Sequence, residues 1–478
     1  MKSRMHCALR PLALIVSVAS LGGCAVGPDY HRPAVDTPSS YRYASPQAEA
    51  VDGSLEWWRQ FNDPVLDDLI AKAIAQNKDL LIAAARVEEF YGRYVTTRAG
   101  LFPQIGVNFD PTRSRGVPAG GFAPVVGNQF QLNGMVSWEL DLFGRLRRMT
   151  EAARADYLGT QAAQQATRIA IISNVATSYL QLRDYDNQLQ IAQATLASRK
   201  GSLDLFEERF AGGVVSKVEL SQARSEYASA QTSVFSIQQQ IAQQEDAISL
   251  LLGQNPGPIP RGKAITALSA PAIPSGLPST LLERRPDILQ AEQTLIAANA
   301  QIGAARAQYF PDISLTGMFG AASTALSGLW TGPARVWSFA GTVTQPIFKG
   351  GAIAGSVHQA EAAQQEALFS YEKTIQQAFA DVENALVGAA RTRDQLDATT
   401  RQVSALTEYA GLSRDLYEGG YTSYLEVLDA ERSLFNAQLQ QSQLQDQRLA
   451  EIVNLYKALG YGWTPPAPSA ANGNTKPS

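Results

Sequence analysis

Residues Gln129 to Leu142 read QFQLNGMVSWELDL, and apolar and polar side chains alternate along almost the whole stretch. Alternation with a period of two over this length predicts a β-strand with one apolar and one polar face. The apolar side chains are Phe130, Leu132, Val136, Trp138, Leu140 and Leu142, and the polar ones are Gln129, Gln131, Asn133, Ser137, Glu139 and Asp141. The stretch therefore predicts a sheet that separates an apolar surface from a wet one.

Similar alternation occurs three more times, which predicts a pair of strands in each half of the chain. The predicted pairs are 102-112 with 129-142, and 311-320 with 336-348. Loops rich in Gly and Pro, at 113–127 and 321–333, separate the two strands of each pair.

An internal repeat organises the chain. Leu101-Phe102-Pro103-Gln104-Ile105 matches Tyr309-Phe310-Pro311-Asp312-Ile313 at an offset of 208. Phe210-Ala211-Gly212-Gly213 matches Tyr417-Glu418-Gly419-Gly420 at an offset of 207, and Leu252-Gly253 matches Leu459-Gly460 at the same offset. Because these anchors keep nearly one offset, we predict a duplicated half-molecule with repeats at 64-252 and 286-461.

Helices are predicted on both sides of each strand pair. Asp63-Pro64 places a capping residue before a proline and opens the first helix, and Pro286-Asp287 opens the corresponding helix of the second half. Long proline-free stretches, rich in Ala, Gln, Leu, Glu and Arg, follow the strands at 146–210, 214–252, 352–418 and 421–459. A helix of roughly 65 residues is about 100 Å long, so we predict coiled-coil-like walls rather than a globular core.

Three segments of the mature chain lie outside the repeats. Residues 24-63 are predicted to be an extended N-terminal segment. Residues 253-285 form a connector in which the density of proline forbids a regular helix. Residues 462-478 have the composition of a disordered tail.

The N-terminus has the organisation of an export signal, predicted at 1-23. Lys2, Arg4 and Arg10 accompany an apolar run at 11–20 that is too short to cross a bilayer as a lasting helix. Leu21-Gly22-Gly23-Cys24 then resembles a bacterial lipobox, which implies cleavage before Cys24 and N-acyl and S-diacylglyceryl groups on that cysteine. The alternative is an ordinary signal with a chance cysteine, and the order of the four residues favours the lipobox.

The composition argues against catalysis. Of the three histidines, His6 leaves with the signal, and His31 and His358 are far apart, so neither a zinc site nor a Ser-His-Asp triad is expected. Walker, dinucleotide-binding and HExxH motifs are absent from the sequence, although a pair of carboxylates leaves acid–base chemistry open. We expect no enzyme activity, no metal and no cofactor besides the lipid on Cys24.

The charge argues against a nucleic-acid partner. The formal net charge is -4, and loss of the three cations of the signal leaves the mature chain more negative still. Proteins that bind nucleic acid carry basic surfaces instead.

Four strands are too few to close a membrane barrel, for which about eight strands are the practical minimum. No apolar run after the signal has the length of a transmembrane helix, so a membrane-spanning chain must use its strands. Two chains supply eight strands with a nearly filled interior, and three supply twelve with a lumen. The alternative is a pore-less structural periplasmic lipoprotein that carries a surface sheet.

Four further motifs stand out: Cys24-Ala25-Val26-Gly27-Pro28-Asp29-Tyr30 with Arg32-Pro33, Trp57-Trp58-Arg59-Gln60-Phe61, Glu283-Arg284-Arg285-Pro286-Asp287, and residues 298–307 with Phe310-Pro311. Together they resemble TolC-like outer-membrane efflux lipoproteins, the NodT-type outer membrane factors of RND tripartite pumps. The resemblance covers essentially the whole mature chain. It implies an α+β membrane protein of the cell outer membrane, lipid-anchored and spanning, with a large periplasmic portion.

The resemblance also implies an assembly and a function. The family forms homotrimers with a 12-stranded β-barrel that a periplasmic α-helical barrel continues. Each trimer is the passive exit duct of a tripartite pump, whose other partners are a periplasmic adaptor protein and an inner-membrane RND-type transporter. The cargo stays open among drugs, other toxic compounds and metals, because the duct of this family discriminates little.

The turns at Gly212-Gly213 and Gly419-Gly420 are predicted at the periplasmic ends of the helical hairpins. The plain interpretation is that paired glycines permit a turn, and the resemblance implies that the adaptor docks around these tips. Residues 421–430 resemble the gate segment of the family. Leu425 and Asp429 are four residues apart and share a helix face, so three-fold symmetry predicts a leucine ring and a carboxylate ring across the pore.

Further gate contacts follow from the resemblance alone. Glu426 occupies an acidic gate position, and the hydroxyl of Tyr417 is expected to bond Glu219 of the other half. Thr422 replaces a basic residue of some relatives, and Lys217 can supply a substitute charge. The competing interpretation is that these are solvated charges on a helix tip, which usually contribute little.

A type I protein-secretion channel of the same fold, fed by an ATP-driven transporter, is the second functional hypothesis. The lipobox and the Arg284-Arg285-Pro286-Asp287 stretch favour efflux without excluding secretion.

Overall fold

The computed structural model describes residues 25–43, 55–117, 123–272 and 280–464. The predicted signal peptide, Cys24 and most of the predicted tail lie outside the described residues. The chain divides into two compact units. Unit 1 comprises Met1–Ala34, Arg86–Gln161 and Gln290–Glu372, and unit 2 comprises Val35–Ala85, Ala162–Leu289 and Lys373–Ser478.

The two halves contain the same kinds of elements, and their long helices match in length. The helices are α1 (Pro64–Gln76), α2 (Lys78–Ala99), α3 (Arg145–Ala211), α4 (Lys217–Leu251), α5 (Leu281–Arg284), α6 (Pro286–Ala307), α7 (Ala352–Glu418) and α8 (Tyr424–Ala458). The strands are β1 (Gln104–Gly116), β2 (Val125–Leu140), β3 (Asp312–Ser323) and β4 (Arg335–Thr344). Helices α2 and α6 have 22 residues each, α3 and α7 have 67, and α4 and α8 have 35. The duplicated architecture is thereby confirmed.

One predicted correspondence between the halves is wrong. Helix α6, which begins at Pro286, is the counterpart of α2 and not of the helix that Asp63-Pro64 opens. The reason is a break at Asn77, whose backbone leaves the helical region and whose side chain donates to the carbonyl of Leu251 at 2.8 Å. Arg285, at the equivalent position, donates in the same way to the carbonyl of Ala458 at 3.1 Å.

Unit 1 contains an antiparallel sheet with the strand order β1-β2-β3-β4. Directly paired residues point their side chains to the same face. The apolar face carries paired residues such as Ile105 with Val136, Trp138 with Leu315, and Phe319 with Trp337. The opposite face carries Asn108 with Asn133, Ser137 with Thr316, and Ser314 with Thr342. The predicted separation of an apolar from a polar face is confirmed by this register.

The strand boundaries differ from those predicted. Pairing continues to Gly116 and starts again at Val125, so both ends of the expected loop, 113–116 and 125–127, belong to the sheet. Strand β2 ends before Asp141, because the carboxylate of Asp141 accepts hydrogen bonds from the amides of Leu146 at 3.0 Å and Arg147 at 2.8 Å. A residue expected on the wet face of a strand instead caps the long helix α3. Strand β4 likewise ends at Thr344, short of the predicted boundary.

Unit 2 has an aromatic core in which the described part of the connector is ordered. The ring of Trp57 stacks on that of Tyr456 with 4.9 Å between centroids. The buried carboxylate of Asp63 accepts from the hydroxyl of Tyr179 at 2.8 Å and from the amide of Lys263 at 3.0 Å. Asp63 therefore caps α1 and also holds the connector against α3.

Across the described ranges, no helix is both long enough and apolar enough to cross a membrane.

Candidate gate at the helix tips

Both long hairpins turn through the same backbone motif. Gly213 has a φ of 72° and Gly420 a φ of 78°, values that glycine adopts without steric cost. The amide of Val214 donates to the carbonyl of Arg209 at 2.9 Å, and the second turn repeats this bond. This is the Schellman ending of a helix. The second glycine of each predicted pair is therefore required by the turn, whereas the first has no positive φ (Gly212 and Gly419).

The two helices that follow the turns start differently. The hydroxyl of Ser216 accepts from the amide of Glu219 at 3.3 Å, and the Glu219 carboxylate accepts from the amide of Ser216 at 2.7 Å. This is a closed capping box. In the second half the hydroxyl of Thr422 donates to Glu426 at 2.7 Å instead. Lys217, which is expected to supply the positive charge that Thr422 lacks, is exposed and forms no ion pair within the described residues.

In the single chain Tyr417 and Glu219 contact other partners, and the hydrogen bond expected between them stays a prediction for the assembled gate. One oxygen of the Glu219 carboxylate accepts a hydrogen bond in the capping box. The ring of Tyr417 packs instead against Phe206 and Tyr424, with centroids 6.4 Å and 5.4 Å away. Phe206 and Tyr424 themselves lie 4.3 Å apart. The tyrosine thus belongs to an aromatic cluster that joins α3, α7 and α8.

The first turns of α8 have a buried side and a free side. The buried side packs against α3 and α4 through Tyr424, Val427 and Leu428. Leu425 is 59% exposed, and Asp429 is exposed as well. Both predicted gate residues therefore lie on the side that their own chain leaves uncovered. The equivalent of Asp429 in the first half is Gln222, so only the second hairpin offers a carboxylate at this level.

A network of buried charges links the four long helices beside the aromatic cluster, and no pattern in the sequence indicates it. Arg199 of α3 is 4% exposed, pairs with Glu431 of α8 at 2.6 Å and lies 3.8 Å from Glu226 of α4. Arg414 of α7 also pairs with Glu431. Arg432 donates to Glu226 at 2.9 Å. Because charges inside a polar helix are usually solvated, only the tertiary neighbours of these residues reveal the network.

The Arg-Arg-Pro-Asp stretch, which carried part of the family resemblance, has a structural role. Arg285 forms ion pairs with Asp287 at 2.6 Å and with Asp381 of α7 at 3.0 Å. It also donates to the last carbonyl of α8, at Ala458. One guanidinium therefore fixes the start of α6, the end of α8 and the side of α7, which makes use of its several donors in a rigid plane.

The N-terminal residues of unit 1 are attached to α6. The Glu292 carboxylate, which is largely buried, accepts from the hydroxyl of Tyr30 at 3.1 Å and from the guanidinium of Arg32 at 2.7 Å. Gly27 lies directly against Gly303, where an added Cβ would stand 2.4 Å from the Cα of Gly303. The glycines of the N-terminal motif and of α6 thus permit a close backbone approach.

The described residues contain an open groove but no cluster of metal-binding side chains. An open groove of about 550 Å³ lies between α3, α7 and α8, and Asn187, Thr195, Arg414 and Phe435 are among its lining residues. No group of three or more His, Cys, Asp or Glu side chains in the described ranges is arranged to hold a metal ion. The candidate functional site is the helix tip, where Leu425 and Asp429 are exposed.

Comparison with known proteins gives the family. The model of the family described as "Outer membrane efflux protein" matches residues 69–254 and again residues 277–461. The chain belongs to this family. The two matches are offset by 208 residues, in agreement with the internal repeat.

Related proteins match nearly the whole chain. The "Cation efflux system protein CusC" of Escherichia coli O6:H1 is 37% identical over 462 residues, which are 96% of this chain and 99% of CusC. The "Solvent efflux pump outer membrane protein SrpC" of Pseudomonas putida is 37% identical over 93% of this chain and 96% of SrpC. The open state of the Neisseria gonorrhoeae MtrE outer membrane channel superposes with a TM-score of 0.79 at 31% identity, over 92% and 98% of the two chains. The expected family and outer-membrane location are confirmed.

Proposed function

We propose that three copies of this chain form the outer-membrane duct of a tripartite efflux system. The observation that carries the proposal is that the sheet of a single copy has two open edges and an exposed apolar face. Strands β1 and β4 lie at its two edges with one partner each, and its apolar face is bare, with Ile105 82% and Phe339 75% exposed. Hydrocarbon tolerates strands only in a closed barrel without edges. Three copies supply twelve strands, which close around a lumen.

The long helices would form the periplasmic part of the duct. At 1.5 Å per residue, the 67 residues of α3 span about 100 Å, enough to extend far from the outer membrane. The duct is passive, and the inner-membrane transporter of RND type supplies the energy. A periplasmic adaptor protein docks around the tips at Gly212-Gly213 and Gly419-Gly420. No step of this function requires a catalytic residue or a cofactor.

The proposed cargo is a class of small toxic solutes rather than one compound. CusC is named for cations and SrpC for solvents, yet both match this chain over nearly its full length. Architectures this similar support a duct that leaves selection to the inner-membrane partner.

The lipid anchor proposed on Cys24 agrees with the path of the residues that follow it. The amide of Val26 donates to the carbonyl of Phe143 at 3.0 Å, and Ala25 lies against Gly144. Phe143 and Gly144 connect the end of β2 to the start of α3. Acyl chains on Cys24 would therefore begin beside one end of the sheet, as a leaflet anchor requires.

The gate is proposed at the free side of α8. Three Leu425 side chains would narrow the pore by their bulk and by dewetting, and three Asp429 carboxylates would attract cations and repel anions. The outward direction of both side chains in the single copy supports this assignment. The conformation of the tip would depend on three more residues. Glu219 and Glu426 would act through their capping contacts, and Tyr417 would act through the aromatic cluster.

The first test is the native mass of detergent-extracted protein, measured by light scattering with the detergent subtracted. A mass of three chains is expected. A monomer that persists in several mild detergents would refute the shared barrel and favour a pore-less structural lipoprotein.

A deletion strain tests the kind of cargo. Efflux predicts sensitivity to drugs, dyes, solvents or metals, and the full-length protein on a plasmid should restore resistance. Loss of a secreted protein without any such sensitivity would instead assign the duct to type I secretion.

A further inference from the structure

Two methionines face each other on the polar face of the sheet. After the predicted signal the sequence contains only Met135, Met149 and Met318. Met135 of β2 and Met318 of β3 are direct cross-strand partners. Their Cβ atoms are thus about 5 Å apart on one face, and flexible thioether side chains from such positions can converge on one point.

The residues paired with Met135 and Met318 across the sheet carry no positive charge. Met135 has Gly106 as its partner on β1, and Met318 has Ser338 on β4. An added Cβ at Gly106 would meet no atom within 4 Å, so that side of the pair is open. The flanking rows of this face contain no Lys or Arg; their members are Asn108, Asn133, Gly320 and Val336 on one side, and Gln104, Ser137, Thr316 and Ala340 on the other.

A carbonyl oxygen without a donor lies in the next row of the same face. Asn133 precedes Met135 by two residues on the same face, and its side chain is only 7% exposed. Its amide nitrogen lies 3.5 Å from Gln131, whereas its Oδ1 is buried without a hydrogen-bond partner. That oxygen occupies the space above Gly320, 2.4 Å from where a Cβ would stand. A buried acceptor without a donor carries a cost that a cation would remove.

We propose that Met135, Met318 and Asn133 form a binding site for a soft monovalent cation, Cu(I) or Ag(I). Thioether sulfur is a ligand that selects soft ions, and the amide oxygen completes a three-donor set. The site rests on the proposed function in one respect, since it lies in the transport path only if the polar face lines the lumen. Binding there is weak and reversible, because a conducting path requires sites that an ion can leave.

Met149 provides a matched control. It is 36% exposed, against 46% for Met135, so both side chains are accessible. The Met149 sulfur, however, lies 3.7 Å from the guanidinium of Arg145, and this positive charge disfavours a second cation. Replacement of either methionine by leucine conserves volume, so folding should be preserved.

The test uses Ag(I), which is redox-inert, and the full-length purified protein in chloride-free detergent buffer. Bound silver is measured by equilibrium dialysis with elemental mass spectrometry. We expect one Ag(I) per chain in the wild type and in Met149→Leu. In Met135→Leu/Met318→Leu the affinity should fall at least tenfold, and in Asn133→Ala by several-fold.

Equal silver binding in the wild type and the Met135→Leu/Met318→Leu variant would overturn the site, as would an equal loss in Met149→Leu. The trimer mass and the channel conductance of the same samples separate this outcome from a failure of the proposed function. A conducting trimer that binds no silver refutes the cation site alone, whereas a stable monomer refutes the duct.

Discussion

Asp446 of α8 is a half-buried acid without a compensating cation in its immediate surroundings. Burial first, and then the neighbouring Asp184 of α3, raise the pKa of Asp446 to about 7. Asp184 accepts from the amide of Gln188 at 2.6 Å and from the hydroxyl of Ser442. One oxygen of Asp446 has no hydrogen-bond partner. Tyr185 also faces both acids, and burial followed by these two charges raises its pKa.

This acid predicts a pH-dependent stability. An unfolded aspartate has a pKa of about 3.9, so between pH 4 and 7 the folded chain retains a proton that the unfolded chain releases. Stability therefore falls as the pH rises through this window, and the loss is complete above pH 7. Asp446→Asn should stabilise the protein by about 2 kcal/mol at pH 8, and the gain should vanish near pH 4.

Thermal unfolding of the detergent-extracted protein at several pH values measures this effect. Asp397→Asn, at an exposed position of α7, is the control, and its melting temperature should stay close to that of the wild type at every pH. A melting temperature of Asp446→Asn that follows the wild type from pH 4 to pH 8 would show that the pair carries no such penalty.

The exposed positions of Leu425 and Asp429 predict that both side chains limit the conductance of the channel. Substitution of both by alanine removes the bulk and the charge from the free side of α8, so the double variant should conduct several-fold more in planar bilayers. Leu250→Ala/Asp397→Ala changes an exposed leucine of α4 and an exposed aspartate of α7, both about 20 or more residues from the turns, and should leave conductance unaltered. Wild-type conductance in both single variants and in the double variant would contradict the gate.

At the scale of elements, the charge network holds the ends of the long helices together. Arg199 is buried between Glu431 and Glu226, and its removal leaves these two carboxylates with only the half-exposed Arg414 and Arg432 as partners. Arg199→Met should therefore destabilise the tip by about 2 kcal/mol. Amide hydrogen exchange near the turns of both hairpins should become faster in this variant.

Arg224 offers a control on a neighbouring turn. It pairs with Glu207 at 3.0 Å, but both side chains are largely exposed. Arg224→Met should cost less than about 1 kcal/mol. Similar exchange rates in the Arg199 and Arg224 variants would mean that the network contributes no more than a surface ion pair.

At the scale of the whole molecule, the two faces of the sheet predict opposite tolerance to charge. Phe339 lies on the apolar face and is 75% exposed in the single copy. If this face contacts lipid, Phe339→Arg should lower the unfolding free energy of the barrel by about 2–4 kcal/mol near the membrane centre. The amount of trimer in outer-membrane fractions should fall accordingly.

Thr342 lies on the polar face of the same strand. Thr342→Arg should assemble like the wild type, because its charge would point into water. Semi-native electrophoresis of unheated outer membranes distinguishes the two variants. Equal trimer yields would be incompatible with a lipid-facing apolar surface.

Much of this architecture could be predicted from the sequence, because its signals are periodic and local. Alternation along 129–142 indicates a two-faced strand, and the repeat offset near 207 indicates matched helices. The turn glycines also follow from local geometry, since Gly213 and Gly420 need a positive φ. In each case a residue is constrained by its own backbone or by neighbours a few positions away.

Two other features are local hydrogen bonds that compete with the predicted structure, and two more concern residues that are far apart in the chain. Asp141 reads as part of a strand, but the amides of α3 capture its carboxylate. Glu219 is predicted to bond Tyr417, and in the single chain one of its oxygens accepts from the amide of Ser216. The Arg199–Glu431 pair and the Met135–Met318 pair join residues separated by about two hundred positions. The sequence alone thus determined the repeat, the elements and the faces of this protein. Only the tertiary structure decided which charges and which sulfurs meet, because such contacts depend on helix rotation and strand register, which no local periodicity encodes.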